Sequence, residues 1–342
     1  MNRLVTSTFD TRAFPAQERF AAWRDSIGVI FDAQLGSNTD PLTFNAQVEA
    51  SMFGDVFMGR LVSSTQAFLR PHSKILTDGL DAYLVQIFTR GRCAVQDGRH
   101  TRIVRPGDIY VIDASAPLEA VDYDFEHITT IIPRDLISRN LVRPDGHHRR
   151  IIPAEMPLAK LLYAYVTGLS ANRMDMTAAE GMAALAPLLS LIESVLNTPV
   201  PGASGRQDAH AVEFAVINTI RDHIEANLGD RNLSPDMLAA MMGLSRSRLY
   251  RLFEPIGGIS KYIRQRRLRR SLQDLLDQSH RTMRIGEIAW RWGFKSESDY
   301  SRAFKQRYGM NPREAREART RLANTAQTRS DGFDRWIREI GT

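Results

Sequence analysis

The residues best placed to do chemistry in this chain form two short sets that recur at a fixed offset. Arg246, Ser247, Tyr250 and Arg251 follow Gly243-Leu244-Ser245, with Leu249 and Phe253 spaced among and after them. Glu297, Ser298, Arg302 and Lys305 follow Gly293-Phe294-Lys295-Ser296, with Tyr300 and Phe304 in the matching places. The glycines lie 50 residues apart and the Ser, Leu/Tyr and Phe positions 51 apart. A unit repeated at fixed offset is a structural repeat. The chemistry these side chains offer is recognition of duplex nucleic acid. Arginine grips a guanine edge bidentately, serine suits a base or a phosphate, and Glu297 can accept from a cytosine amino group. Helix N-termini capped by Ser245 and Ser296 offer amides to backbone phosphates.

Such residues need helices to aim them, and each copy reads as a helix-turn-helix. Ser234-Pro235 is an N-cap followed by proline at the first helical position. Leu238, Met241 and Met242 share one face, Gly243 makes the tight turn, and Ser245 caps a second helix that buries Leu249, Leu252 and Phe253. In the second copy Ile285, Ile288, Ala289 and Trp292 form the supporting face, Gly293 breaks it, and Ser296 caps the helix that buries Tyr300 and Phe304. A basic helix from Ser260 to about Gln278 joins them, with Lys261, Arg264, Arg266, Arg267, Arg269 and Arg270 against a buried side of Tyr262, Ile263, Leu268, Leu272, Leu275 and Leu276. Nineteen residues span roughly 28 Å, enough to set two helices into successive major grooves about 34 Å apart. A solvated face is the plainer reading of the linker arginines, equal in weight to phosphate contact.

This block resembles the DNA-binding domain of the AraC/XylS family of bacterial transcription regulators. The resemblance rests on Ala240-x-x-Gly243-x-Ser245, Leu249-x-x-x-Phe253 and Gly258-x-Ser260-x-Tyr262. Its second half rests on Ile288-Ala289, Gly293-Phe294, Ser296, Tyr300-x-x-x-Phe304-Lys305, Gly309 and Pro312. Pro255, Ser271 and Ala315 depart from the family pattern. The resemblance implies a sequence-specific regulator, an activator by default, that contacts two adjacent major grooves. Promoter DNA, a small-molecule effector, a second copy of the chain and RNA polymerase are the partners it implies.

Composition agrees. The chain has 342 residues, 43% hydrophobic and 25% charged, which suits an ordinary globular protein with room for two domains. Its +6 net charge is uneven: from His210 onward 25 Lys/Arg face 16 Asp/Glu, leaving −3 for the rest. Positive charge gathered in one domain is expected of a phosphate-binding surface. One cysteine, Cys93, excludes an intramolecular disulfide framework and fits a reducing compartment. No signal peptide opens the chain and no apolar run is expected to reach a membrane span, so the expectation is a cytoplasmic protein without membrane partners.

The first half reads differently. An amphipathic helix begins at Phe14-Pro15 and turns Phe20, Trp23 and Ile27 inward. Short β-type runs follow at Thr43–Met52, Arg60–Arg70, Ala82–Thr89, Arg92–Gln96, Thr101–Val104, Asp108–Ile112 and Glu126–Ile132, punctuated by Asp97-Gly98 and Pro106-Gly107. This spacing predicts a small antiparallel barrel or jelly roll. Arg105-Pro106-Gly107-Asp108-Ile109-Tyr110 resembles a turn-and-strand signature of the cupin-like sensor domains that precede this family's DNA-binding module. By that resemblance the barrel holds the effector, and Phe68, Tyr83, Gln86, Phe88 and Tyr110 are candidates to line it; plain core is the alternative reading of each aromatic residue.

His72, His100, His127 and His147-His148 lack a metal-ligand spacing, and no phosphate loop or nucleophile elbow occurs, so neither a metal, a cofactor nor catalysis is expected. Pro157–Leu169 and Thr177–Leu196 are helical, with a Thr177/Glu180 capping box, a Leu185, Leu188, Leu189, Ile192, Val195, Leu196 stripe and an expected kink at Pro187. Family resemblance assigns such helices to dimerisation; packing on the barrel is the equal alternative.

The expected architecture is α+β: a cupin-like sensing and dimerisation domain over 1–197, a linker over 198–209, a double helix-turn-helix domain over 210–320 and a tail over 321–342. Two rivals stand beside it, a DNA binder controlled by a partner rather than a ligand, and a metal-dependent cupin enzyme.

Overall fold

Alternation of apolar and polar residues produces strands through most of the first half. In the computed structural model these are β1 (Thr6–Asp10), β2 (Asp32–Leu35), β3 (Ala46–Phe53), β4 (Val56–Ser63), β5 (Gln66–Arg70), β6 (Ala82–Asp97), β7 (His100–Val104), β8 (Ile109–Asp113), β9 (Leu118–Pro133) and β10 (Arg150–Ile152). The structure describes residues 3–317 apart from 38, 79, 98–99, 200–209, 255–257, 277–279 and 281. The expected linker beyond Pro199, Gly98 of one expected turn, Pro255, Gln278 and the C-terminal tail lie outside the described residues. The chain forms two compact units, residues 3–138 with 147–199, and residues 139–146 with 210–317.

All strand pairs are antiparallel, in the order β1-β3-β4-β9-β6-β8-β10, with β5 joining β2 to β9 and β7 pairing β6. The sheet is rolled on two 16-residue strands, β6 and β9, which pair with each other along most of their length. Inward side chains from both, with Trp23 and Ile27 of α1 (Arg19–Ile27), make one core. Alternation sends Leu84 and Gln86 to one face of β6 and Tyr83 and Val85 to the other.

The sequence divides β6 at Thr89–Gly91 and begins β9 eight residues late. In the structure both run through, because the register slips twice between Phe88 and Arg92. Gly91 takes φ +75°, and a Cβ there would stand 2.4 Å from the Tyr123 carbonyl oxygen. It is a bulge that bends the strand, not a turn that ends it. The expected single run Arg60–Arg70 is two strands, β4 and β5, and β1, β2 and β10 carry too little pattern to be seen in advance.

Four further helices complete this unit: α2 (His72–Asp78), α3 (Arg134–Ile137), α4 (Pro157–Asn172) and α5 (Ala178–Asn197). The Thr177/Glu180 capping box forms as expected. The expectation about apolar runs needs correction: by length and composition α5 is apolar enough to cross a membrane, at mean hydropathy 1.5. Glu180, Pro187 and Glu193 hide this in the sequence. Leu188, Ile192, Val195 and Leu196 on one side of α5 are buried within the unit, and it packs on α4 and β3.

The second unit is helical: α6 (His210–Ala226), α7 (Pro235–Met241), α8 (Arg246–Phe253), α9 (Ile259–Leu276), α10 (Ile285–Arg291) and α11 (Glu297–Tyr308). Ile220, Ile224, Leu238, Leu249, Phe253 and Tyr262 lead one core. Phe294, Tyr300, Phe304 and Tyr308 pack in sequence in a second, tilted or edge-on, with ring centroids 5.0, 5.6 and 4.7 Å apart. The linker helix α9 packs against α8 and against α10 and α11. Two departures from the family pattern are absorbed locally. Ser271 is buried with its hydroxyl donating to the Leu268 carbonyl at 2.8 Å, and Ala315 is fully buried. α6 closes at Ala226.

Candidate nucleic-acid interface and barrel cavity

The two turns are built alike. Met242 closes on Leu238, Gly243 on Ala240, and Leu244 donates to the Ala239 carbonyl at 2.9 Å. Fifty residues on, Trp292 closes on Ile288, Gly293 on Trp290, and Phe294 donates to Ala289 at 2.9 Å. Both glycines sit in the left-handed region, φ +61° and +69°, as the turn requires. The second turn then carries one more residue, Lys295, before its cap, which is why the offset grows from 50 to 51. Ser245 accepts from the Arg248 amide at 3.2 Å and Ser296 from the Asp299 amide at 3.1 Å.

Burial of Leu249, Leu252 and Phe253 fixes what α8 shows to solvent. Arg246, Ser247, Tyr250 and Arg251 are all exposed, with Ser247 and Arg251 on the side opposite the core. On α11 the buried set Tyr300, Ala303 and Phe304 leaves Ser298, Arg302 and Lys305 outward. Arg251 and Arg302 occupy equivalent places in the repeat. Glu297 is exposed but leans back over its own unit: a Cβ on Gly286 would stand 2.8 Å from its Oε2. Arg248, also exposed, escaped the sequence reading because it flanks the core face at helical spacing.

Two of these arginines hold carboxylates, Arg246 with Asp236 at 2.8 Å and Arg302 with Asp299 at 2.9 Å. Exposed pairs of this kind are worth about 0–1 kcal/mol. They orient the guanidinium at little cost to its release.

The linker arginines are mostly committed elsewhere. Arg266 grips Glu225 with two hydrogen bonds, of 2.5 and 3.1 Å. Arg267 donates to the carbonyls of Leu228, Gly293 and Asp230 at 2.9, 3.0 and 2.6 Å. Arg269 is buried, and Arg270 lies 3.4 Å from Glu225. Lys261 and Arg264 are the exposed members of the set. Much of the basic charge in this helix therefore holds α6, the segment that follows it and the second turn to α9.

Comparison with known proteins fits this geometry. A model of the AraC-binding-like domain matches residues 23–197, just over half of the chain, and a helix-turn-helix domain model matches residues 238–318. The chain belongs to the AraC family. It is similar to the transcriptional activator NphR of Rhodococcus sp, with 24% identity over 82% of this chain and 83% of that protein. A Proteus vulgaris protein described as a probable transcription factor, PqrA, is 31% identical over 30% of this chain and 84% of its own length. Among solved structures, the AraC-like transcriptional activator CuxR aligns at TM-score 0.54 and 25% identity, covering 78% of this chain and 95% of that one. The protein is thus a DNA-binding transcription regulator, α+β, with a sheet-rich domain ahead of its helix-turn-helix domain.

In this AraC-family chain the barrel carries a cavity of about 50 Å³. Of the residues expected to line one, Phe68, Gln86 and Tyr110 do so. Tyr83 and Phe88 are placed elsewhere. Tyr83 is on the opposite face of β6, its ring 4.2 Å beneath the Arg134 guanidinium and its hydroxyl hydrogen-bonded to Arg134. Phe88 packs in the core against Phe125 and His127.

Three polar side chains meet on one stretch of the cavity wall. Gln86 Nε2 donates to Thr129 Oγ1 at 3.3 Å and approaches His127 Nε2 at 3.5 Å, and His127 Nδ1 lies 3.0 Å from Thr129 Oγ1. Burial holds the His127 imidazole neutral, its pKa lowered to about 3. A second polar group is Asp122 with Cys93 and Tyr110. Burial raises Asp122 to about 7, with the Cys93 thiol hydrogen-bonded to it. Burial also pushes Cys93 and Tyr110 well above their ordinary values. Asp122, His127, Thr129 and Cys93 had no signal in sequence that joined them. They lie on two long strands, and only the register Cys93↔Asp122 and Gln86↔Thr129 brings them to one wall. Among the described residues no group of His, Cys, Asp and Glu could hold a metal ion.

Proposed function

We propose that this regulator reads a promoter through α8 and α11 in adjacent major grooves, and that a small molecule in the barrel cavity sets its activity. Arg251 and Arg302 act as the principal base readers. Arg246, Ser247, Tyr250, Ser298, Lys305 and Glu297 lie beside them at the groove floor and walls, and Ser245 and Ser296 hold phosphates. The observation that carries this reading is the pair of equivalent exposed arginines on two helices whose turns share one hydrogen-bond pattern. Similarity to NphR and CuxR, both described as activators, supports activation with RNA polymerase as partner. The domain over 1–197 senses and pairs two copies through α4 and α5, where Leu161 and Met182 are exposed apolar residues. Its place of action is the cytoplasm, and it is not an enzyme.

The test begins by selecting bound fragments from a genomic pool with the full chain. Against the selected site, Arg251→Ala and Arg302→Ala should each cost about 1–3 kcal/mol and relax preference at one base position. The two positions should lie about one helical turn apart. Unchanged affinity and preference in both variants would remove these helices from the reading.

A further inference from the structure

Among the described residues no arginine or lysine lines the barrel cavity, although Arg149 and Arg102 act on Tyr110 from outside its wall. Its lining is apolar except for Gln86, Cys93, Tyr110, Asp122, His127 and Thr129. Two of its polar groups keep a buried atom unpaired. Asp122, 3% exposed, has an Oδ1 with no hydrogen-bond partner, and Tyr110, 1% exposed, has a hydroxyl with none. A buried polar atom left unpaired costs about 1–3 kcal/mol, more when charged, so the site gains by receiving a donor. A carboxylate ligand would meet the opposite: a buried acid, a neutral imidazole and no arginine or lysine in the lining to pair with it.

We propose that the cavity binds a small amine, its nitrogen donating to Asp122 Oδ1 and the Tyr110 hydroxyl, and its apolar body lying against Phe57, Phe68 and Leu84. This rests on the reading of the barrel as the effector site and names the chemistry that site accepts. The size follows from the volume. A water needs roughly 10–15 Å³ of such space, so 50 Å³ admits a few heavy atoms up to a single ring. The carboxyl selects charge, and the Gln86–His127–Thr129 group offers a second, neutral contact.

The experiment uses the full chain at pH 8, with amine, alcohol and carboxylate on two frames: isobutylamine, isobutanol and isobutyrate; benzylamine, benzyl alcohol and benzoate. Calorimetric titration and thermal shift are read for the wild type, Asp122→Asn and the cavity-filling Ala120→Leu. The expected result is that at least one amine binds at least tenfold more tightly than its alcohol and carboxylate partners. Asp122→Asn should lose that tenfold preference while staying folded, and Ala120→Leu should lose binding on both frames. Carboxylate or alcohol binding as tight as the amine, or an amine preference untouched by Asp122→Asn, overturns the amine assignment and leaves the barrel as effector site. Failure of all six probes also overturns it. The effector-site reading falls separately if Ala120→Leu and the wild type then give equal reporter responses across a broad metabolite panel.

Discussion

Asp122→Asn should tilt the pH dependence of barrel stability, and His127→Gln should tilt it the other way. Folded Asp122 keeps its proton up to about 7, whereas the unfolded chain releases it near 3.8. Between those values the folded state holds one more proton, so this group makes stability fall as pH rises. Folded His127 takes a proton only near 3, whereas the unfolded chain takes it near 6.5. Within that window the unfolded state holds the extra proton, and stability falls as pH drops. Each contributes a slope of about 1.4 kcal/mol per pH unit. In the wild type the two slopes oppose each other from about pH 4 to about pH 6.5.

Each variant leaves one slope unopposed. Relative to wild type, Asp122→Asn should gain roughly 3–4 kcal/mol between pH 4 and pH 8, and His127→Gln should lose its acid-side penalty by a similar amount between pH 6.5 and pH 4. The groups facing Asp122, Cys93 from β6 and Tyr110 from β8, stay protonated throughout, so they do not blur the comparison. Urea unfolding of the full chain at five pH values, followed through the transition that exposes Trp23, measures the difference curves. A difference curve flat in pH for Asp122→Asn would show that this carboxyl is solvated in the folded protein.

The contrast between what was legible in sequence and what was not has a physical basis in these two sites. The helix-turn-helix residues act within a span of a dozen positions. Cap, turn glycine and outward arginine are all set by helical spacing, and Ser245, Gly243, Arg251 and their partners fifty residues on fall where spacing puts them. The cavity is set by pairing across strands, and two bulged strands of 16 residues cannot be placed in register from one chain's pattern. Asp122 sits in Asp-Tyr-Asp-Phe-Glu, ahead of the strand start expected at Glu126, yet it is buried against Cys93, 29 positions earlier. Residue type groups Tyr83 with Gln86, and strand parity separates them. The linker arginines show the same limit in a helix. Charge is visible in sequence, but the carbonyls of Leu228, Asp230 and Gly293 that consume Arg267 are not.

That last arrangement makes the two turn glycines unequal despite their matching roles. Gly243→Ala places a Cβ where nothing lies within 4 Å, so its cost is the left-handed backbone alone, about 1–2 kcal/mol. Gly293→Ala has the same backbone cost, but its Cβ would stand 2.7 Å from Arg267 Nη2 and 2.9 Å from the Leu228 carbonyl oxygen. The guanidinium must leave, and with it three hydrogen bonds from a charged donor, each worth about 1.5–3 kcal/mol. Gly293→Ala should therefore destabilise the DNA-binding unit by at least about 4 kcal/mol. Arg267→Ala alone should cost about as much as the contacts it removes. Since the guanidinium is gone in either case, the double variant should fall well short of the sum, with a coupling about as large as the contacts both single variants lose, roughly 4 kcal/mol in the cycle. Denaturant unfolding of the full chain, read through the transition that exposes Trp292, tests all four proteins. Equal costs at Gly243 and Gly293, or strict additivity with Arg267→Ala, would mean that Arg267 does not clamp the second turn, and the basic linker helix would return to being a surface free to meet phosphate.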